Sequence, residues 1–226
     1  MREFIKKVHS KKHISYPLYS LIGATLFVSA FFAFSSNALT SINLTAPMNN
    51  AYWNGTKNIA WTANCVSGDL VNIYYTTNNF DNTIKIGSNI NCNAVSSFAW
   101  NTTTVADSNS AKVRVTDVTD PNINGSSGIF NVDNTIPTFT VNDSVAAGSV
   151  QTDTINITTA DANGITSNAY GYSADATCNA SDTYGTTFTS GTNFTIAGNH
   201  TDYLCVKTVD TATNIAYLWS DCGFKL

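Results

Sequence analysis

The chain has 226 residues, of which 12% are charged, with a net charge of −4 and a pI of about 5.1. No basic cluster follows residue 38, and this argues against nucleic acid as a partner. Glu and Gln are nearly absent whereas Thr, Val, Ile and aromatic residues abound, so the composition favours strands and turns over helices.

Residues 1–38 differ in character from the rest of the chain. They combine a basic start, an uncharged apolar run over residues 18–34, and small side chains at Ser36 and Ala38. This order is typical of a secretory signal peptide cleaved after Ala38. The run is also only slightly shorter than a membrane span of about 20 residues, so an uncleaved N-terminal anchor is the alternative. In both cases we expect the remainder to be exported, extracellular or at the cell surface, with the membrane contacted only through residues 18–34 if they are retained.

Residues 41–133 are predicted to form an Ig-like domain. The clearest strand is "AKVRVTD", which places Val113 and Val115 inward and the charged Lys112 and Arg114 outward. Six other short runs are separated by turn signals: "SINLTAP", "NIAWT", "DLVNIYYTT", "TIKIG", "SFAWN" and "GIFNVD". This many strands in about 90 residues, with no helical period, predict a β-sandwich of immunoglobulin type.

Residues 136–226 are predicted to form a second domain of the same kind. The joint between the two is "VDNTIPTFTV", in which Pro137 opens a new strand after a polar turn. Six runs follow the first plan: "PTFTV", "DTINITT", "NAYGYS", "TNFTIAG", "YLCVKTVD" and "NIAYLWS". The predicted fold class is therefore all-β, with two immunoglobulin-like β-sandwiches in tandem after an N-terminal hydrophobic signal or anchor helix.

Both units carry residues that resemble known families. The first resembles the Ig-like N-terminal module of yeast cell-wall glucan-synthesis and Ser/Thr-rich surface proteins, through Pro47, Trp53, Gly55, Ile59, Trp61, Trp100 and Phe130. The second resembles bacterial Ig-like repeats that end in "V-D-x-A-x-N", here Val209, Asp210, Ala212 and Asn214. The resemblances imply a tandem Ig-like surface protein; a shared fold does not by itself identify an activity.

Five cysteines fall in the exported part. Pairing within each unit predicts the disulfides Cys65–Cys92 and Cys178–Cys205. Cys222 is left over and is free, pairs between chains, or replaces Cys178 or Cys205 as a partner.

No catalytic residue, cofactor or metal site is predicted. A thiol nucleophile needs a neighbouring base, and His200 is the only histidine of the exported part. Paired carboxylates would come from Asp117 with Asp120, or from Asp161, and turn stabilisation is the simpler role for each. Calcium near "DVTDPNING" or "TADANGI" is conceivable, although neither segment has the spacing of a calcium loop.

The aromatic residues are the better lead to a binding surface. Trp61 and Trp100 alternate with polar residues and are predicted to lie in the core. Tyr52, Trp53 and Trp219 are the candidates for exposed rings that could face a ligand.

The sequence predicts a non-catalytic, exported cell-surface protein whose tandem domains act as a spacer or adhesion module. The alternatives are a carbohydrate-binding or cell-wall-associated module, and accessory domains of a truncated secreted enzyme. The expected partner is an unidentified surface protein or glycan.

Overall fold

The computed structural model describes residues 38–143, 152–175, 177–197 and 202–219. Within these ranges the chain is all-β, with sixteen strands and a short 3₁₀ turn at Thr102–Thr104. No helix in this part of the chain combines the length and apolar character needed to cross a membrane. The N-terminal signal or anchor segment predicted above, His200 and Cys222 lie outside the described residues.

The first nine strands form two sheets around one core. Their bounds are Ile42–Ala46 (β1), Tyr52–Trp53 (β2), Thr56–Ala63 (β3), Leu70–Thr76 (β4), Ile84–Asn91 (β5), Ser97–Asn101 (β6), Ser108–Asp117 (β7), Asn124–Ser126 (β8) and Phe130–Val132 (β9). One sheet has the order β1-β3-β6, and the other has the order β2-β9-β7-β4-β5 with β8 paired to β7. This arrangement is an immunoglobulin-like sandwich.

The next seven strands repeat that plan around a second core. Their bounds are Thr138–Asp143 (β10), Thr152–Ala160 (β11), Ile165–Ser173 (β12), Thr186–Thr187 (β13), Asn193–Ala197 (β14), Tyr203–Asp210 (β15) and Ile215–Trp219 (β16). The sheets have the orders β10-β11-β14 and β13-β12-β15-β16. Every run predicted from the sequence coincides with a strand. The strands that the sequence did not reveal, β2, β8 and β13, have only two or three residues, too few to show alternation.

Alternation along the strands explains the first core. Val113 and Val115 of β7 are 0% exposed and pair in register with Tyr75 and Ile73 of β4, which are also buried. Each such side chain contributes about 1.5–3 kcal/mol by leaving water. The second core is built in the same way, around buried residues of β11, β14 and β15: Ile155, Ile157, Ile196, Leu204 and Val206.

Two disulfides have the pairings that the sequence predicted; the first joins the loops after β3 and β5, and the second joins the loop after β12 to β15. Cys65 is bonded to Cys92 with the Cα atoms 5.8 Å apart, and Cys178 to Cys205 with the Cα atoms 5.3 Å apart. Cys205 lies opposite Gly171 in the register of β15 and β12. The loop of residues 178–185 packs directly on β12 at Gly171, which has no side chain. A Cβ atom at this position would overlap the carbonyl oxygen of Thr183.

Candidate functional site: the junction between the sandwiches

The linker of residues 133–137 is hydrogen-bonded to the first sandwich. Asn134 Oδ1 accepts from the backbone N–H of Gly55 at 3.0 Å. The backbone N–H of Asn134 donates to the carboxylate of Asp107 at 2.8 Å, and Thr135 Oγ1 donates to the other oxygen of that carboxylate at 2.5 Å. These bonds hold the pKa of Asp107 below its usual value, although burial alone would raise it. The linker therefore follows the surface of the first sandwich closely.

Asn214 attaches the same linker to the second sandwich. Its Nδ2 atom donates to the carbonyl oxygens of Asp133 at 2.9 Å and Thr135 at 3.0 Å, and to Asp210 Oδ2 at 2.8 Å. Its Oδ1 atom accepts from Asn54 Nδ2, in the first sandwich, at 2.9 Å. One amide side chain thus contacts both sandwiches and the segment between them.

The turn between β15 and β16 positions this amide. The backbone N–H of Asn214 donates to Asp210 Oδ1 at 2.8 Å, and the N–H of Asp210 donates to the Asn214 carbonyl at 3.1 Å. Ala212, in the same turn, is 2% exposed. The residues that carried the "V-D-x-A-x-N" resemblance are therefore those that shape the turn and hold the linker.

Three carboxylates converge beside Asn214. One oxygen from each of Asp133, Asp161 and Asp210 lies within 4.8 Å of the others. Asp133 and Asp210 are 1% and 0% exposed, and Asp161 is half-buried. Each residue follows or ends a strand: β9, β11 and β15 respectively. We call these three residues the acidic cluster.

The oxygens of the acidic cluster differ in their hydrogen bonds. Both oxygens of Asp210 accept from Asn214, and Asp161 Oδ1 accepts from the N–H of Asn163 at 2.8 Å. Asp133 Oδ1 accepts from the N–H of Thr135 at 3.2 Å. Asp133 Oδ2 is buried and has no hydrogen-bond partner among the described residues.

The acidic cluster concentrates negative charge. Two full charges 4.8 Å apart repel by about 3.5 kcal/mol at an effective dielectric constant of about 20. Burial raises the pKa of Asp133 above its usual value, hydrogen bonding by the Asn163 side chain and the Thr135 backbone partly opposes this, and the negative charges of Asp161 and Asp210 raise it further. The charged groups that act on this carboxyl are thus both negative.

Chemically, the acidic cluster offers carboxylate oxygens. No histidine occurs in the described ranges, and all four of their cysteines are in disulfides. The other pair considered from the sequence, Asp117 and Asp120, accepts backbone N–H groups two residues ahead, at 2.7 Å and 3.0 Å. Those two carboxylates stabilise turns, as expected for Asp in such positions.

The prediction of an exposed Trp53 ring is wrong. Its segment is not a turn but strand β2, which pairs in parallel with β9, and alternation turns Tyr52 outward and Trp53 inward. Trp53 is 8% exposed and its ring centroid lies 5.2 Å from that of Phe130 and 6.3 Å from that of Trp100. Tyr52 is 36% exposed. Trp219 ends β16, and its side chain lies outside what the structure describes.

Two surface cavities do not provide the exposed aromatic rings that a ligand would contact. One of about 380 Å³ lies between β5 and β6 and is lined by apolar side chains that include Ile84 and Phe98. Another of about 290 Å³ is lined by Tyr74, Phe80 and Arg114. The guanidinium of Arg114 lies 3.8 Å from the centroid of the Phe80 ring and occupies the face that a ligand would use.

The sequence patterns did not bring the three members of the acidic cluster together. They are 28 and 49 residues apart in sequence (161 − 133 and 210 − 161), so no local spacing reveals them. The available signal was an Asp at the end of each of three strands, each followed by Asn within four residues: "VDNT", "TADAN" and "VDTATN". The "TADANGI" segment considered for calcium supplies one member of the three.

Comparisons with solved structures find chains of similar fold. No known family matches the chain, and no curated protein matches it. The crystal structure of the FN1–FN3 domains of chicken CNTN1 is similar at 8% sequence identity and a TM-score of 0.36. The match covers 80% of this chain and 66% of that one. The strand order and the two cores define the fold, and the comparisons lend no support to the finer yeast and bacterial resemblances.

Proposed function

We propose that this protein is a non-catalytic, exported spacer or adhesion module. The observation that carries the proposal is the junction, where Asn134 and Asn214 bind the linker to both sandwiches. Tandem domains that move independently are joined by exposed linkers with few contacts, whereas here the linker is anchored on both sides. A stiff joint suits a protein that holds a binding surface at a distance.

Hydrogen–deuterium exchange tests the stiff joint. The backbone N–H of Asn134 donates to Asp107 and that of Thr135 donates to Asp133, so a linker that is held protects both amides from exchange. We expect both amides to exchange faster in an Asn134→Ala/Asn214→Ala double variant than in the native full-length chain. Equally fast exchange in the two chains would contradict a stiff joint.

Export is supported by the disulfides and by the order of the N-terminal residues. Disulfides form and persist in oxidising compartments. We expect thiol labelling of the chain in its native cells to find Cys65, Cys92, Cys178 and Cys205 oxidised, and external protease to degrade residues 39–226 on intact cells. Reduced cysteines in a protease-protected chain would contradict export.

The glycan-binding alternative has less support than the spacer role. Of its three candidate rings, Trp53 is buried, and Tyr52 is the remaining one whose exposure the structure describes. A glycan array with the native chain and a Tyr52→Ala variant separates the two functions. Binding that Tyr52→Ala abolishes would favour the glycan module, and no binding to any glycan agrees with the spacer. A pull-down from native cell surfaces is the experiment that would identify an adhesion partner.

A further inference from the structure

We propose that Asp133, Asp161 and Asp210 bind one calcium ion at the junction. Two observations meet here: three carboxylate oxygens lie within 4.8 Å of one another, and Asp133, which is 1% exposed, has an oxygen without a hydrogen-bond partner among the described residues. The site is independent of the proposed spacer role, because it follows from the geometry of the acidic cluster alone.

The unpartnered oxygen is the stronger of these observations. A buried polar atom without a partner is costly, so native proteins pair nearly all such atoms with protein, water or ions. Asp210 is fully buried as well, yet its two oxygens are satisfied by Asn214. A cation in the acidic cluster supplies the missing partner of Asp133 Oδ2. It also compensates the negative charge of the three carboxylates, which hydrogen bonds do not remove.

The donor set identifies the class of ion. All three side chains offer carboxylate oxygens, the donors of hard cations, whereas zinc favours sulfur and imidazole ligands. Calcium takes six to eight oxygen ligands in flexible geometry, whereas magnesium demands a near-ideal octahedron and keeps several waters. Three carboxylates from three different segments, two of them buried, suit the more tolerant ion.

Calcium binding would join separate parts of the chain. Asp133 belongs to the linker, Asp161 follows β11, and Asp210 ends β15. The ion therefore adds a second attachment between the linker and the second sandwich, beside that of Asn214.

Isothermal titration of the metal-free, full-length chain with CaCl₂ tests the site. We expect one ion per chain with a dissociation constant of about 10⁻⁴–10⁻³ M, the range of extracellular calcium modules, and weaker binding of MgCl₂. Asp161→Asn keeps the oxygen that accepts from Asn163 and should weaken calcium binding at least tenfold. Asp120→Asn, an exposed turn residue that loses the same charge, is the matched control and should bind as the native chain does.

Thermal melting separates binding from folding. In EDTA, Asp161→Asn should melt at or above the temperature of the native chain, because it removes one of three repelling charges, and added calcium should raise the melting temperature of the native chain only. No binding at about 10 mM calcium, tenfold above the weakest affinity expected, would overturn the proposal. So would unchanged binding by Asp161→Asn, or a lower melting temperature of that variant in EDTA.

Discussion

Replacing Asn214 with Ala tests the junction most directly. The change removes an amide that donates to the carbonyls of Asp133 and Thr135 and to Asp210 Oδ2, and that accepts from Asn54. Thr135 is exposed, so water can replace the bond to its carbonyl. Asp133 and Asp210 are buried, so the carbonyl oxygen of Asp133 and Oδ2 of Asp210 are left without this donor.

The expected loss follows from those orphaned groups. Each buried acceptor left without a partner costs about 1–3 kcal/mol, and partial access of water places both near the lower end. We therefore expect Asn214→Ala to lower the free energy of unfolding by about 2–3 kcal/mol, which lowers the melting temperature by about 5–10 °C. The backbone amides of Asn134 and Thr135 should also exchange with deuterium faster in the variant than in the native chain.

Differential scanning calorimetry and urea denaturation in EDTA measure the effect without a contribution from metal. Asn122→Ala is the matched control, because Asn122 lies in an exposed turn and its amide bonds only the neighbouring Asp120, at 2.9 Å. The control should change stability by less than about 0.5 kcal/mol. A loss for Asn214→Ala no larger than that of the control would refute the view that this amide holds the two sandwiches to the linker.

Three further changes probe separate parts of the fold. Gly171→Ala places a methyl group against the 178–185 loop and should lower the free energy of unfolding, measured by urea denaturation, by about 2–3 kcal/mol. Gly185→Ala is the control, because its added Cβ meets nothing within 4 Å. Equal stability of the two variants would contradict the packing of the loop on β12. Replacing both Cys65 and Cys92 with Ser opens a loop with a sequence separation of 27 and should lower the free energy of unfolding by about 3 kcal/mol. An unchanged midpoint of urea denaturation would show that this disulfide contributes no stability. The folded-state pKa of Asp107 lies below its unfolded value of 3.8, so its contribution is present above pH 4 and is lost as the pH falls through the folded pKa. Asp107 is exposed, so solvent screens its charge, and Asp107→Asn should lower stability by about 0.5 kcal/mol or less at pH 7 and by less still at pH 2. An equal loss at both pH values would rule out the charge as the cause.

The strands could be predicted because alternation is a local signal. Val113 and Val115 face the core in the pattern that their neighbours Lys112 and Arg114 imply, and the same holds for the longer runs of both sandwiches. Trp53 could not be placed in this way. Its strand has two residues, and only its pairing with β9, almost 80 residues later, fixes which of the two aromatic rings points inward.

The junction was harder to predict from the sequence than the strands were. The cysteine pairs could be predicted because each pair falls within one unit and closes a short loop. Asp133, Asp161 and Asp210 meet only because three strands end at the same place, and each Asp, taken alone, resembles the turn residues Asp117 and Asp120. The role of Asn214 was equally hidden, since its partners lie up to 160 residues away.

The parallel pairing of β2 with β9 has a mechanical consequence. The ladder continues into the linker, because the backbone N–H of Asp133 donates to the Trp53 carbonyl at 3.0 Å. A pull transmitted through the linker acts along β9, whose bonds to β2 on one side and β7 on the other are then strained in shear and bear the load together. Such a connection resists tension better than a hairpin opened one bond at a time, because several hydrogen bonds must break together.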